Sequence, residues 1–149
     1  TKDGFFMRLA GGVPIPDSAT NMSALKKFNE AFDEFHRRGW WFHIFPEACR
    51  WDFYKPLRPF QKGAFTMSYK YNKPLLPCVI TFRERKGIFR LFGSKNLPLL
   101  TVTIGEPILP DTTKPRKIEV ERLREVAHNQ MIKMAGITHN PWPAAWENL

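Results

Sequence analysis

The amino-acid sequence predicts an α/β fold, with a mainly parallel or mixed central sheet flanked by helices. Two long segments repeat apolar residues at helical steps, three short apolar runs have the length of strands, and the two kinds alternate along the chain. Of the 149 residues, 43% are hydrophobic and 14% aromatic, enough for one core in a chain too short for two. A single domain over residues 1–149 is therefore expected.

The elements follow in order. Residues 5–15 mix an apolar run with Gly11-Gly12 and are expected to end in a short strand, Val13-Pro14-Ile15. Residues 18–38 predict the first helix: Met22, Leu25, Phe28, Phe32 and Phe35 share one face, and Lys26, Lys27, Asn29, Asp33 and Glu34 the other. Ser18 or Thr20 would cap its start, and Gly39 would stop it after two arginines. Residues 40–45 are apolar on both alternating faces except at His43, which predicts a central strand covered on both sides. Residues 47–58 predict a loop, and residues 60–71 a second helix with Pro59 in its first turn. Gly63 inside that helix costs ~1 kcal/mol against alanine, which points to close packing or the approach of a ligand. Residues 75–82 and 99–104 predict two more strands, and the basic stretch between them leaves room for a short hairpin at Gly87 and Gly93. Pro107, Pro110 and Pro115 mark an extended connector. Residues 116–135 predict the last helix, with Val120, Leu123, Ala127, Met131 and Met134 on one face. The tail from Thr138 is expected on the surface.

Charge placement is more informative than its total. The formal charge is +9, and residues 50–95 alone hold eleven cations against Asp52 and Glu84, so the whole excess lies in the middle third. Such an excess attracts phosphates on a lipid surface, a nucleotide or a small substrate, or it merely solvates one face. No apolar run approaches the ~20 residues of a spanning helix. Nothing at the start reads as a signal peptide, and two cysteines fit a reducing cytosol. The four histidines and two cysteines lack metal-ligand spacing, and no P-loop or dinucleotide glycine pattern is present. His43 and Cys78 are expected in the core, and Cys49 half-buried with no base beside it.

In open α/β sheets, ligands collect at the carboxyl ends of the strands. The run 40–45 delivers Pro46-Glu47-Ala48-Cys49-Arg50 there. Arg50 could hold a phosphate by paired hydrogen bonds while Glu47 binds hydroxyls or orients the Arg; otherwise the two form a surface ion pair.

Phe45-Pro46-Glu47-Ala48-Cys49-Arg50, followed by Pro59-Phe60-Gln61-Lys62-Gly63-Ala64, resembles the third block of the glycerolipid (1-acylglycerol-3-phosphate) acyltransferases. That pattern is Phe-Pro-Glu-Gly-Thr-Arg with a downstream Phe-Lys-x-Gly. Gly11-Gly12-Val13-Pro14-Ile15 is similar to the second block, Lys73-Pro74-Leu75-Leu76-Pro77-Cys78-Val79-Ile80 to the fourth, and Thr101-Val102-Thr103-Ile104-Gly105-Glu106-Pro107 to the last strand and turn. The resemblance implies transfer of a fatty acyl group from acyl-CoA or acyl-carrier protein to a glycerol hydroxyl of lysophosphatidate or a similar lysolipid. The donor is then a co-substrate, with no further cofactor and no metal. It also implies that Gly12, Glu47, Arg50, Lys62 and Gly63 meet substrate, and that Phe45, Pro46 and Pro77 shape the acyl pocket or its frame. In the family, a His-x-x-x-x-Asp block supplies the base that deprotonates the hydroxyl.

Three departures bear on that reading. The residues five after His36, His43, His128 and His139 are Trp41, Ala48, Lys133 and Ala144, so the His-x-x-x-x-Asp block is absent. No catalytic residue is therefore expected within this chain, which is expected to be the C-terminal portion of an acyltransferase domain, inactive alone, with its base upstream. The family's Ile-Asp-Arg ending of the second block is replaced by Ile15-Pro16-Asp17-Ser18, which removes one phosphate-binding Arg. Gly-Thr has become Ala48-Cys49, which keeps small residues beside the Glu. A lipid acceptor implies a peripheral position on the cytoplasmic face of an anionic membrane, through the 50–95 excess and the apolar-basic stretch 83–92. Those apolar residues pack inward if the stretch is instead a hairpin. The competing class is a non-catalytic basic module on anionic membrane or nucleic acid, with Phe53, Tyr54, Phe89 and Phe92 as stacking faces. No nucleic-acid motif accompanies them, and this class ranks below the acyltransferase.

Overall fold

The computed structural model describes residues 12–13, 21–48, 56–90 and 98–140, with the side chains of 89 and 90 excepted. The chain divides into two compact units, Thr1–His43 and Ile44–Leu149.

In the first unit, α1 (Met22–Arg37) forms on the face that its three- and four-residue spacing predicts. Phe32 is buried, its ring 4.7 Å from Phe28 and 4.9 Å from Phe42. The cap is Asn21, whose Oδ1 accepts from the Ala24 N–H at 3.0 Å. Ser18 and Thr20, the expected caps, lie outside the described residues, as do Pro14 and Ile15; Gly12 and Val13 carry no regular structure. Gly39 stops the helix in the left-handed region, at φ 71°.

Residues 40–45 are not a strand. Strand hydrogen bonds need a neighbouring chain. The Trp40 N–H is used instead to close α1, donating to the Phe35 carbonyl at 3.0 Å, and the Trp40 ring stacks on Phe35. Trp40, Trp41 and Phe45 are exposed rather than covered on both sides, and His43 is exposed rather than core.

The second unit is built on α2 (Gly63–Tyr71), β1 (Cys78–Arg83), β2 (Leu99–Ile104) and α3 (Arg116–Met134). Leu57, Phe60 and Phe65 meet Ile108, Val120, Leu123 and Ala127 in one core, flanked by Tyr69, Leu75, Met131, Ile132 and Ile137. Three of the five apolar positions read for α3 are thus buried, and Met131 and Met134 are half-buried. α2 begins at Gly63 rather than 60, because the backbone before it is committed elsewhere: the Gln61 N–H donates to the Pro46 carbonyl at 2.7 Å, and the Phe60 carbonyl accepts from Arg124. Asn72 ends α2 at φ 50°, a left-handed position that Asn tolerates.

The described residues form a mixed α/β arrangement whose sheet is two-stranded and antiparallel, running in register from Cys78↔Ile104 to Arg83↔Leu99. A mainly parallel order would need a long crossover between paired strands, usually helical. Here the described part of the link holds a short 3-10 turn, Gly87–Arg90, in the stretch where the sequence leaves room for a hairpin. β2 occupies the expected residues. β1 starts late, because Pro77 has no N–H to give a ladder; Leu75 instead forms an isolated bridge with Ile108. Cys78, at the start of β1, is exposed and not a core thiol. One face of the ribbon leaves Ile80, Leu100, Val102 and Ile104 exposed, while Val79 on the other is buried.

Candidate functional site

The candidate site starts from a tight turn. The Ala48 N–H donates to the Phe45 carbonyl at 3.2 Å, closing a β-turn with Pro46 where proline's fixed φ favours it. The segment 57–61 runs alongside. Its Arg58 N–H donates to Glu47 Oε2 at 2.9 Å, and its Gln61 N–H donates to the Pro46 carbonyl. The structure therefore joins two stretches that the resemblance had joined only by pattern, and Lys62 follows directly on the second. Burial pushes the half-buried Glu47 carboxyl above its ordinary value, and the Arg58 N–H and guanidinium only partly offset this. The other oxygen, Oε1, accepts no hydrogen bond among the described residues. Glu47 is thus positioned through one oxygen and can offer the second to a hydroxyl.

The other expected site residues fall unevenly. Lys62 leads into α2, and its ammonium pairs with Glu121 of α3 at 2.8 Å. Gly63 is the first residue of α2, and a Cβ built there would meet nothing within 4 Å. Close packing is therefore not the reason for a glycine at this exposed position. Phe45 is exposed. Pro77 is buried beside β1, where its carbonyl accepts from the Gly105 N–H at 2.9 Å. Gly12 belongs to the other unit, and Arg50 and Cys49 lie outside the described residues.

Sequence reasoning missed what holds the site in place. Asn140 Nδ2 donates to the Leu57 carbonyl at 2.9 Å, and Arg124 Nη1 donates to the Phe60 carbonyl at 3.4 Å. The His128 ring stands edge-on to Phe60 at 4.8 Å. Burial pushes His128 below its ordinary value, while the backbone at Leu57 and Arg58 pulls the other way. Arg124 and His128 are four apart on α3, the one signal that could have placed them on its buried face.

The turn also shows that keeping a small residue at Ala48 is not enough to keep the backbone unstrained. Its φ is 54°, in the left-handed region, where the family pattern has glycine. A residue with a Cβ costs about 1–2 kcal/mol there, and glycine's extra unfolded-state freedom takes back only about 0.4–1 kcal/mol. Ala48→Gly should therefore stabilise the chain by roughly 0.5–1 kcal/mol, read as a higher urea midpoint at unchanged slope. A lower midpoint would show that the turn does not carry this strain.

A family model described as Acyltransferase matches residues 3–81. None of the curated proteins and none of the solved structures matches the chain. The matched span covers just over half of the residues and contains the turn at Glu47, the adjoining segment 57–61, all of α2 and most of β1. On that span, the chain belongs to the Acyltransferase family.

Proposed function

We propose that this chain serves acyl transfer to a glycerol hydroxyl of lysophosphatidate or a similar lysolipid, with acyl-CoA or acyl-carrier protein as donor. The observation that carries the proposal is Glu47, whose carboxylate is held by the Arg58 N–H through one oxygen and left with the other to accept from a substrate hydroxyl. In this reading Glu47, Arg50 and Lys62 serve the acceptor, and Gly63 lets it approach. Phe45, Pro46 and Pro77 frame the site. The chain is the C-terminal portion of the transferase domain and inactive alone, because no His-x-x-x-x-Asp occurs in its 149 residues. The sheet is completed toward a mainly parallel one with helices on both faces, a reading supported by the exposed Ile80, Leu100, Val102 and Ile104. No described helix is long and apolar enough to cross a membrane. The protein works peripherally at the cytoplasmic face of an anionic membrane, which the exposed Arg83, Lys86 and Ile88 support.

The test is binding of lysophosphatidate carried in vesicles, followed by sedimentation. The chain should pellet with anionic vesicles more than with neutral ones, less so as salt rises. Glu47→Gln should weaken the dependence on lysophosphatidate about tenfold, the size of one lost hydrogen bond to a charged group. Unchanged dependence in Glu47→Gln, or efficient competition by single-stranded DNA, would overturn the reading.

A further inference from the structure

α2 and α3 flank an open surface cleft of about 360 Å³, lined by Lys62, Thr66, Arg116, Lys117, Val120 and Glu121. Its volume lies in the range of small-molecule pockets. The lining holds three cations against one carboxylate. Glu121 is already committed: it pairs with Lys62 and with the buried Arg124. Burial pushes the Glu121 carboxyl up, but its two cations outweigh this and hold it below its ordinary value. Glu121 therefore stays charged and fixes Lys62 at the rim. Arg116 and Lys117 differ from the neighbouring cations. Lys114, Arg122 and Arg124 each have an acidic partner, whereas Arg116 and Lys117 have no ion pair or hydrogen bond among the described residues. The half-buried Thr66 hydroxyl also makes no hydrogen bond there. These unpartnered donors converge on one concavity, and an unpaired basic rim around a hydroxyl fits phosphate oxygens.

We propose that this cleft binds phosphate monoester groups, with Arg116, Lys117, Lys62 and Thr66 as donors. Arg116 and Lys117 lie outside the residues that the family model matches, so the pattern around Glu47 does not include them. The cleft opens beside Lys62, the residue after Gln61, which is bonded to the turn carrying Glu47. A phosphate held here therefore sits next to the segment that positions the acceptor carboxylate. The volume and the apolar wall at Val120 suit a phosphate attached to a larger group, as at the nucleotide end of an acyl-CoA. That assignment of source rests on the acyl-transfer reading; the phosphate cleft does not.

Calorimetric titration separates the sources. Adenosine 3′,5′-bisphosphate stands for the nucleotide end of the donor, glycerol 3-phosphate for the acceptor head group, and adenosine for a ligand without phosphate. The bisphosphate should bind, adenosine should not, and affinity should fall as salt rises. The double variant Arg116→Gln/Lys117→Gln should weaken binding about tenfold or more, the loss expected for one or two charge-assisted hydrogen bonds. Its thermal unfolding should be unchanged, because both side chains are exposed. Lys133→Gln, in the last turn of the same helix, should bind as the parent does. Tighter binding of the bisphosphate assigns the cleft to the donor, and tighter binding of glycerol 3-phosphate assigns it to the acceptor; both support a phosphate site. Failure of both phosphate ligands to bind at millimolar concentration, or equal binding by the double variant, would overturn it. No turnover is measured, so this result stands apart from the lysophosphatidate test at Glu47.

Discussion

Phe60→Ala should remove about 3–5 kcal/mol of stability, the range for deleting a fully buried aromatic ring. Phe60 has no exposed surface, stacks with Phe65 at a centroid distance of 6.1 Å, and meets the edge of His128. The consequence reaches the candidate site, because Phe60 anchors the segment whose Arg58 and Gln61 N–H groups hold the Glu47 turn. Phe60→Leu keeps most of the volume and should cost only about 1 kcal/mol. Urea unfolding of the two variants checks this. A loss below about 1 kcal/mol in Phe60→Ala would mean that the core is not centred there.

The second large effect is expected at Glu119, a carboxylate with no exposed surface. It accepts from the Asp111 N–H at 2.8 Å and from Arg122 Nε and Nη2 at 2.9 and 2.5 Å. The Arg122 guanidinium, aided by the Asp111 N–H, outweighs burial and holds the Glu119 carboxyl below its ordinary 4.5. Glu119→Ala strands a backbone N–H and removes the partner of an Arg. Breaking a buried pair costs about 3–5 kcal/mol. Arg122 keeps access to water, so the low end, about 3 kcal/mol, is expected at neutral pH. A carboxyl whose folded pKa is depressed stabilises the fold above its unfolded pKa, and that contribution disappears as pH falls through the folded value. The difference between parent and variant should therefore shrink as pH drops below 4.5. Unfolding midpoints at neutral and acid pH read it directly; a difference independent of pH would show that the carboxylate's charge is not what stabilises.

Much of the architecture was legible because its signals are local. α1 and α3 follow apolar spacing and β2 follows a run of β-branched and leucine residues; Phe32, Val120, Leu123 and Ala127 are buried on the faces that the spacing marks, whereas Met22 is exposed and Glu119, Arg124 and His128 share the buried side of α3. Gly105 is the reverse case: a Cβ there would meet the Met134 sulfur at 2.6 Å and the Gln130 amide nitrogen at 2.7 Å, both on α3, so the reason for a glycine lies in packing that the local sequence does not show. The run 40–45 misled because an apolar segment states only a wish for burial. Whether it becomes a strand depends on a neighbouring chain to supply hydrogen bonds. His43 and Cys78 misled likewise, since exposure is a property of what packs alongside.

By itself the sequence determined the helices, two of its three strand-length runs, the placing of all the net charge between residues 50 and 95, and the likeness of residues 45–64 to an acyltransferase block. Each of these is written in the order and spacing of side chains along a few turns. Only the tertiary structure decided that Glu47 is bonded through one oxygen, that Ala48 sits in a left-handed turn, and that the strands pair antiparallel. It alone brought Arg116 and Lys117 to Lys62 across about fifty residues of chain. Such contacts depend on closing long loops around a common core, which no short window of sequence encodes.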